Sequence, residues 1–468
     1  MTSVKFLLGV TLVLMPWVFF DILTIGTFGL ILPEACMMAV ILWLTFLLIT
    51  GKRPWHLPQS SVFYLLMGVG VIVGISAIHP LVGGSYGEIV QAIKTSMHFY
   101  ALWAFAAVCI VARVTTDEWL PALRLSAIQS IGIAAYGLYQ IPARAFGWPG
   151  GWIEITNANY ATKIDSFAVD TTQLALQFGD FFRATSIFSE PSALALYSAT
   201  SLSLVAVPWL TGTKPIIASR ALVATIIIIN LLALFVTFSL TGVMLLTIML
   251  ATCLYVHPRR VINRLIVGVL VASVGIVAAD FKIQEDVGVS VLDLFGRRIS
   301  SIATGKAAES ESEIEGESYT QRTSDYEKSY EAFLESPVIG VGPGNFSNSD
   351  AGRRHSVPYP STTWGSVLAE QGMLGILAHG GLMAVLLFAG VQLIRRRGDG
   401  TENTMTGLHV IVPVRVLILI FVGLTGNNFV SNVLWIDVGL IASIILDEGR
   451  RQNRLVEHTI RIDKEGTS

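Results

Sequence analysis

The chain has 468 residues, 53% of them hydrophobic and 14% charged, against about 25% charged in an ordinary soluble domain. With a mean hydropathy of +0.64, it reads as a polytopic membrane protein and not as one large globular core. A net charge of −2 gives no basis for nucleic-acid binding. Cys36, Cys109 and Cys253 sit singly in apolar runs, which argues for small buried hydrophobes and against a disulfide or metal site.

Apolar runs of membrane-spanning length fall near residues 4–20, 31–50, 61–79, 89–112, 120–141, 191–210, 216–236, 240–257, 262–280, 372–394, 410–426 and 431–447. The first follows a single Lys5, lacks an A-x-A-like cleavage site and meets Asp21 directly, so it reads as a retained span. Lys52, Arg53, Arg113, Lys214, Arg220, Arg259, Arg260, Arg264, Arg395, Arg396, Arg397, Arg450, Arg451 and Arg454 all follow even-numbered spans. The positive-inside rule then sets both termini in the cytoplasm. The fold class predicted is an all-α polytopic membrane protein with about twelve transmembrane helices. Spans one to nine occupy 1–280, with an outer loop at 142–190. A large outer loop at 281–371 follows, then spans ten to twelve at 372–447 and a cytoplasmic tail at 448–468.

The two long outer loops hold Arg144, Arg183, Arg297, Arg298, Arg322, Arg353 and Arg354, against the positive-inside trend. Arginine suits bidentate phosphate recognition, which points to an anionic lipid headgroup as ligand. In the first loop, Trp148 and Trp152 suit the interfacial aromatic belt, with stacking on sugar rings as the alternative. The stretch RATSIFSEPS follows, with Ser189 as the predicted N-cap and Glu190 and Pro191 in the first turn of a helix entering the membrane. Its unpaired N–H groups and dipole favour a phosphate. Arg183 either meets that anion or pairs with Asp180 or Glu190.

In the second loop, Arg297 and Arg298 follow the apolar VSVLDLF, and ESESEIEGE reads as a solvated excursion. RTSDYEKSYEAFLESP predicts a helix whose buried face carries Tyr326, Tyr330, Phe333 and Leu334. Arg322 shares that side and needs a carboxylate partner or reaches an active site. PVIGVGPGNF lacks the G-K-[ST] end of a P-loop and reads as a tight turn. Arg353, Arg354 and His355 come next, and Glu370 stands at the mouth of span ten. Within the spans, Lys94, His98, His379 and Asp437 are either functional or helix-packing groups, while Arg415 is expected to snorkel towards the cytoplasm.

Taken in order, three features resemble the O-antigen ligase/polymerase superfamily of Wzy and WaaL types over about Arg183–Leu393. They are RATSIFSEPS ahead of a membrane helix, an arginine opening a helix that ends SPVIGVGPGNF, and LAEQGMLG. The resemblance implies a GT-C-type glycosyltransferase architecture with its large periplasmic loop before span ten. It implies a place in the bacterial inner membrane, among its lipids, with the active site on the periplasmic face. Donor and acceptor would be undecaprenyl-diphosphate-linked oligosaccharides, with no cofactor and no metal. Chain-length regulator and flippase proteins would be further partners. The family's pyrophosphate-holding arginines map onto Arg183 and Arg322, with Arg297 or Arg298 as a further candidate.

The chemistry agrees with that mapping. Cleaving a sugar–pyrophosphate bond develops charge on the leaving diphosphate, which fixed guanidinium groups can stabilise. The attacking hydroxyl needs a general base, for which Glu190, His355 and Glu370 are the candidates. Ligases carry a His-Asn pair about nine residues before the glutamate, where this chain has Ser361 and Thr362. That departure favours a polymerase of repeat units, most like the Wzy type. The alternatives are a ligase passing glycan to lipid A core or protein, and a lipid-linked oligosaccharide flippase. No internal repeat between the halves supports the last.

Overall fold

A computed structural model describes residues 2–18, 20–25, 28–157, 169–173, 177–178, 181–266, 290, 293, 296, 314–356, 359–395, 407–426 and 431–466. Helices dominate the described residues. In order they are α1 (Thr2–Leu14), α2 (Leu32–Ile49), α3 (Ser61–Gly83), α4 (Tyr86–Val111), α5 (Thr116–Ala145), α6 (Pro191–Thr211), α7 (Arg220–Val236) and α8 (Leu240–Val256). After them come α9 (Ile314–Glu335), α10 (Asp350–His355), α11 (Thr363–Arg395), α12 (Gly407–Thr425) and α13 (Asn432–Gly466). Three small antiparallel hairpins accompany them: β1 (Asp21–Ile25) with β2 (Phe28–Ile31), β3 (Glu154–Asn157) with β4 (Val169–Thr172), and β5 (Gln177–Phe178) with β6 (Phe181–Phe182).

Six of these helices, α2, α3, α4, α6, α11 and α12, are long and apolar enough to cross a membrane. The protein is therefore a multi-pass helical membrane protein. The spans expected at 31–50, 61–79, 89–112, 191–210 and 410–426 fall within four residues of α2, α3, α4, α6 and α12. Elsewhere the expectation needs correction. Helix α1 stops at Leu14, ahead of Pro16, and the chain then turns into the β1–β2 hairpin instead of continuing to residue 20. Helix α13 runs unbroken to Gly466, through most of the segment predicted as a tail. Most of the ninth predicted span, 262–280, lies outside the described residues.

Helix α6 is the centre of the bundle. In its most apolar window 83% of residues are buried, against 33% in α2 and α11. A helix that is hydrophobic all round belongs in the interior, whereas α2 and α11 keep one face outward. Two hydrogen bonds mark one end of the bundle. Gly407 N donates to the Lys214 carbonyl at 3.0 Å, joining the start of α12 to the loop after α6. Thr116 N donates to Asp447 Oδ2 at 3.1 Å, joining the start of α5 to α13. The opposite end gathers the end of α5, the start of α6, the α7–α8 turn and the long loops. We call it the loop-bearing end.

Helix α11 is broken there. Gly372 has φ 63° and ψ −155°, a conformation open essentially to glycine alone. The broken turn is repaired by the segment after α9. The Ala369 and Glu370 carbonyls, which a continuous helix would pair with residues 373 and 374, accept instead from Val341 N and Gly342 N, both at 3.0 Å. Met373 N and Leu374 N donate to the Pro337 and Val338 carbonyls at 2.9 and 3.2 Å. These four backbone groups at the kink are thus satisfied, as a low-dielectric setting requires.

Two intramembrane charges prove to be partners. Arg415 on α12 and Asp437 on α13 form an ion pair at 3.0 Å, both buried. Arg415 is therefore not snorkelling to an aqueous surface. It has a carboxylate beside it, the arrangement that makes a charge tolerable in an apolar interior. His98 likewise pairs with Glu34 of α2 at 2.8 Å.

Candidate active site at the loop-bearing end

The RATSIFSEP stretch is a buried turn, held by side chains from α5 and the preceding loop. Gln140 Oε1 accepts from the amides of Thr185 at 3.2 Å and Ser186 at 2.6 Å. Gln173 Nε2 donates to the carbonyls of Ser186 and Phe188 at 2.6 and 2.8 Å. Arg144 does most. Its Nε donates to the Gly151 carbonyl, Nη1 to the Arg183 carbonyl, and Nη2 to Gln173 Oε1 and Thr185 Oγ1, at 2.6 to 2.9 Å. Its guanidinium also lies over the Trp152 ring, 4.3 Å from the centroid. Burial pulls Arg144 down to about 10, so it stays charged at neutral pH.

The Arg183 side chain is buried and turned towards the α7–α8 connection. Its Nε donates to the Thr237 carbonyl at 2.8 Å, and Ala184 N to the Val236 carbonyl at 3.2 Å. The guanidinium therefore lies where carbonyls at the end of α7 need donors. Of the carboxylates expected beside it, Asp180 is outside the described residues. Glu190 is the N-cap residue of α6, in place of Ser189, with Pro191 at the first helical positions and no side-chain cap hydrogen bond.

The glycine-rich turn expected at PVIGVGPGNF is present. Gly340, Gly342 and Gly344 all have positive φ, and the turn packs against Pro80 of α3, Thr95 of α4 and Glu370 of α11. Gly344 N donates to Glu370 Oε2 at 2.9 Å, and Asn345 Nδ2 donates to the Glu88 carbonyl at 3.1 Å. Glu370 is buried in the last turn before the Gly372 kink, with its carboxylate anchoring the loop. Gln371 beside it is fully buried, and neither of its amide atoms has a hydrogen-bond partner among the described residues. A buried polar group of that kind calls for a water or a ligand.

The helix expected around residues 322–336 is α9, but its buried face is not the aromatic one. Asp325, Ser329 and Ala332 are buried, while Tyr330 and Leu334 are exposed. Glycine at 365 explains the choice, since Ser329 packs closely against it. Only small and short polar side chains fit that contact. Arg322 lies within α9. His355, at the end of α10, is more than a third exposed and pairs with Glu331 at 3.2 Å. Arg297 and Arg298 lie outside the described residues.

A small cavity between α6, α11, α12 and α13 is lined by Leu196, Thr200, Thr363, Trp364, His379 and Asp437, among others. Arg183, Glu190 and Glu370 are not among its lining residues. Among the described residues, no hydrogen bond or ion pair joins any two of Glu190, His355 and Glu370. Among the described residues, no three His, Cys, Asp or Glu side chains converge as a metal site would need.

Residues 224–389 match the family model described as O-antigen ligase. The matched segment is similar to the O-antigen ligase family. It spans α7 through most of α11, and so contains Arg297, Arg298, Arg322, His355 and Glu370. Arg183, Glu190 and the clamp from Gln140, Arg144 and Gln173 stand before it. The family comprises glycosyl-transferring enzymes, ligases and polymerases that act on lipid-linked oligosaccharides. No curated protein matched the chain.

Sequence reasoning missed Gln140, Gln173 and Gln371 and the clamping role of Arg144. Each is a polar residue, and for Gln140, Gln173 and Arg144 the partners are groups seven or more residues away in the chain. The usable signal was Gln140 and Arg144 one turn apart at the end of a span, facing an aromatic, glycine-rich loop.

Proposed function

We propose that the protein is a polysaccharide polymerase of the O-antigen or exopolysaccharide kind. It joins undecaprenyl-diphosphate-linked repeat units on the periplasmic face of the bacterial inner membrane, by glycosyl transfer that needs no metal. The observation that carries this reading is the O-antigen ligase family match over residues 224–389, together with two arginine-bearing elements at one end of the bundle. Arg183, ahead of α6, and Arg322, in α9, hold the donor pyrophosphate and stabilise the charge that develops on it. Arg297 or Arg298 adds a further contact. Glu190, His355 and Glu370 are the candidates for the base that takes the proton of the attacking hydroxyl. Departure of the diphosphate breaks the sugar C1–O bond, and the acceptor oxygen forms the new one. A GT-C-type arrangement, with cytoplasmic termini and a periplasmic site, is the architecture that fits this chemistry.

The second reading is a ligase, favoured by the name of the matched family. Ser361 and Thr362, in the place of a His-Asn pair, weigh against it. One experiment separates the two. The purified protein is given a defined lipid-linked repeat unit alone, and then with lipid A core added. A polymerase lengthens the lipid-linked glycan without lipid A, whereas a ligase yields product only when the second acceptor is present. Movement of substrate across liposomes with no change in glycan length would make the protein a flippase.

A further inference from the structure

We infer that α9 is an in-plane helix whose aromatic face lies in the headgroup and upper acyl layer of the leaflet at the loop-bearing end. Two ties set its height. Near its middle, Tyr326 Oη donates at 3.1 Å to the Leu424 carbonyl, in the last turn of α12. About three turns further on, the Pro337 and Val338 carbonyls accept from Met373 N and Leu374 N, where the transmembrane part of α11 begins. Two points along this segment are thus bonded to the ends of two different spans. The segment between them runs along the ends of the bundle, at the height where hydrocarbon gives way to headgroups.

Its sides differ in chemistry. One packs on the protein through Asp325, Ser329 and Ala332. A second carries Glu331 and Glu335, which face α10. Glu331 pairs with Arg354 at 3.2 Å, and Glu335 Oε1 accepts from Ala351 N at 2.9 Å. The remaining side bears Tyr326, Tyr330, Phe333 and Leu334, with the Tyr330 and Phe333 rings stacked at 5.8 Å. Tyr330, Leu334 and Val338 are 53%, 56% and 61% exposed.

The occupant of that face follows from what it adjoins. Met373 and Leu377, on the first turns of the transmembrane part of α11, are 48% and 62% exposed, and Leu424 at the end of α12 is 45% exposed. These are side chains of membrane-crossing helices turned away from the bundle, so lipid covers them. The Val338–Leu374 bond makes the α9 face continuous with that lipid-covered surface. A helix with apolar and aromatic residues on one side and charges on the other is suited to lie in the interface, where tyrosine rings are favoured. This placement is independent of the reaction proposed above.

Nitroxide scanning of the full-length protein in phosphatidylethanolamine–phosphatidylglycerol liposomes tests it. Labels are placed through Tyr330→Cys, Leu334→Cys and Val338→Cys, with Arg354→Cys on α10 as the aqueous reference and Leu377→Cys as the lipid reference. Wild type treated with the same label controls for reaction at Cys36, Cys109 and Cys253. Collision with oxygen should dominate at 334 and 338, as at 377, and collision with a water-soluble nickel chelate at 354. Nickel-dominated collisions at 334 and 338 would overturn the inference by showing that the face meets water. Immobilised labels protected from both agents would overturn it by showing that protein, such as a second copy, covers the face.

Discussion

Arg144 Nη1 donates to the carbonyl of Arg183 at 2.6 Å, and Arg183 Nε donates in turn to the carbonyl of Thr237 at 2.8 Å. One arginine holds the backbone of the other, whose side chain reaches on to the end of α7. The segment leading into α6 is therefore strung between α5 and the α7–α8 turn. Removing Arg144 strands the acceptors at Gly151, Arg183, Gln173 and Thr185, and an unsatisfied buried group costs about 1–3 kcal/mol. Arg144→Ala should destabilise the protein by more than about 3 kcal/mol, read as a clear fall in the thermal unfolding temperature in detergent. Arg144→Lys keeps the charge but loses the planar fork, and should fall between the two.

Arg183 carries both a structural bond and the proposed pyrophosphate contact. Arg183→Ala and Arg322→Ala should each abolish polymer in cells that still make the membrane-inserted protein. Polymer of normal length in either strain would remove that arginine from the donor site. Arg183→Lys retains a cation without the two-pronged geometry, and should leave a small residual activity.

At the α11 kink, glycine is required twice over. Residue 372 has φ 63°, and a Cβ there would overlap the Pro337 and Val338 carbonyl groups. Gly372→Ala should cost more than about 2 kcal/mol, since strain in that region of backbone space alone is of order 1–3 kcal/mol. Limited proteolysis should then cut after α9 faster than in wild type. A variant with wild-type unfolding and proteolysis would mean the kink is not rigidly held.

The Arg415–Asp437 pair makes a sharper test of the interior. Breaking a buried pair from one side leaves an uncompensated charge and costs about 3–5 kcal/mol. Arg415→Met or Asp437→Leu alone should each lower stability by that order. The double variant should recover most of it, because an apolar pair of similar size incurs no desolvation cost. Additive losses in the double-mutant cycle would show that the two residues act independently.

Where the sequence sufficed, the reason is the solvent. A helix crossing lipid must satisfy its own backbone, so apolar length by itself marked α2, α3, α4, α6 and α12 to within four residues. The glycine-rich turn was legible for a similarly local reason, since positive φ at Gly340, Gly342 and Gly344 is a property of those residues alone. The face of α9 was not legible. Periodicity finds an apolar stripe without saying whether protein or lipid covers it, and here the glycine at 365 drew in Ser329 while Tyr330 and Leu334 were left outside. Glu370 shows the same limit, because its anchoring bond to Gly344 joins groups 26 residues apart.

Amino-acid order alone marks the chain as a multi-pass membrane protein with its unusual arginines in two long loops. Those facts rest on composition and on local runs. The folded structure alone shows that Arg183 reaches the end of α7, that Arg415 meets Asp437, and that the repair of the α11 kink ties the segment after α9 to α11. Each depends on the distance between groups far apart in the chain, and a hydrogen bond or ion pair exists only where folding brings its two ends within about 3 Å.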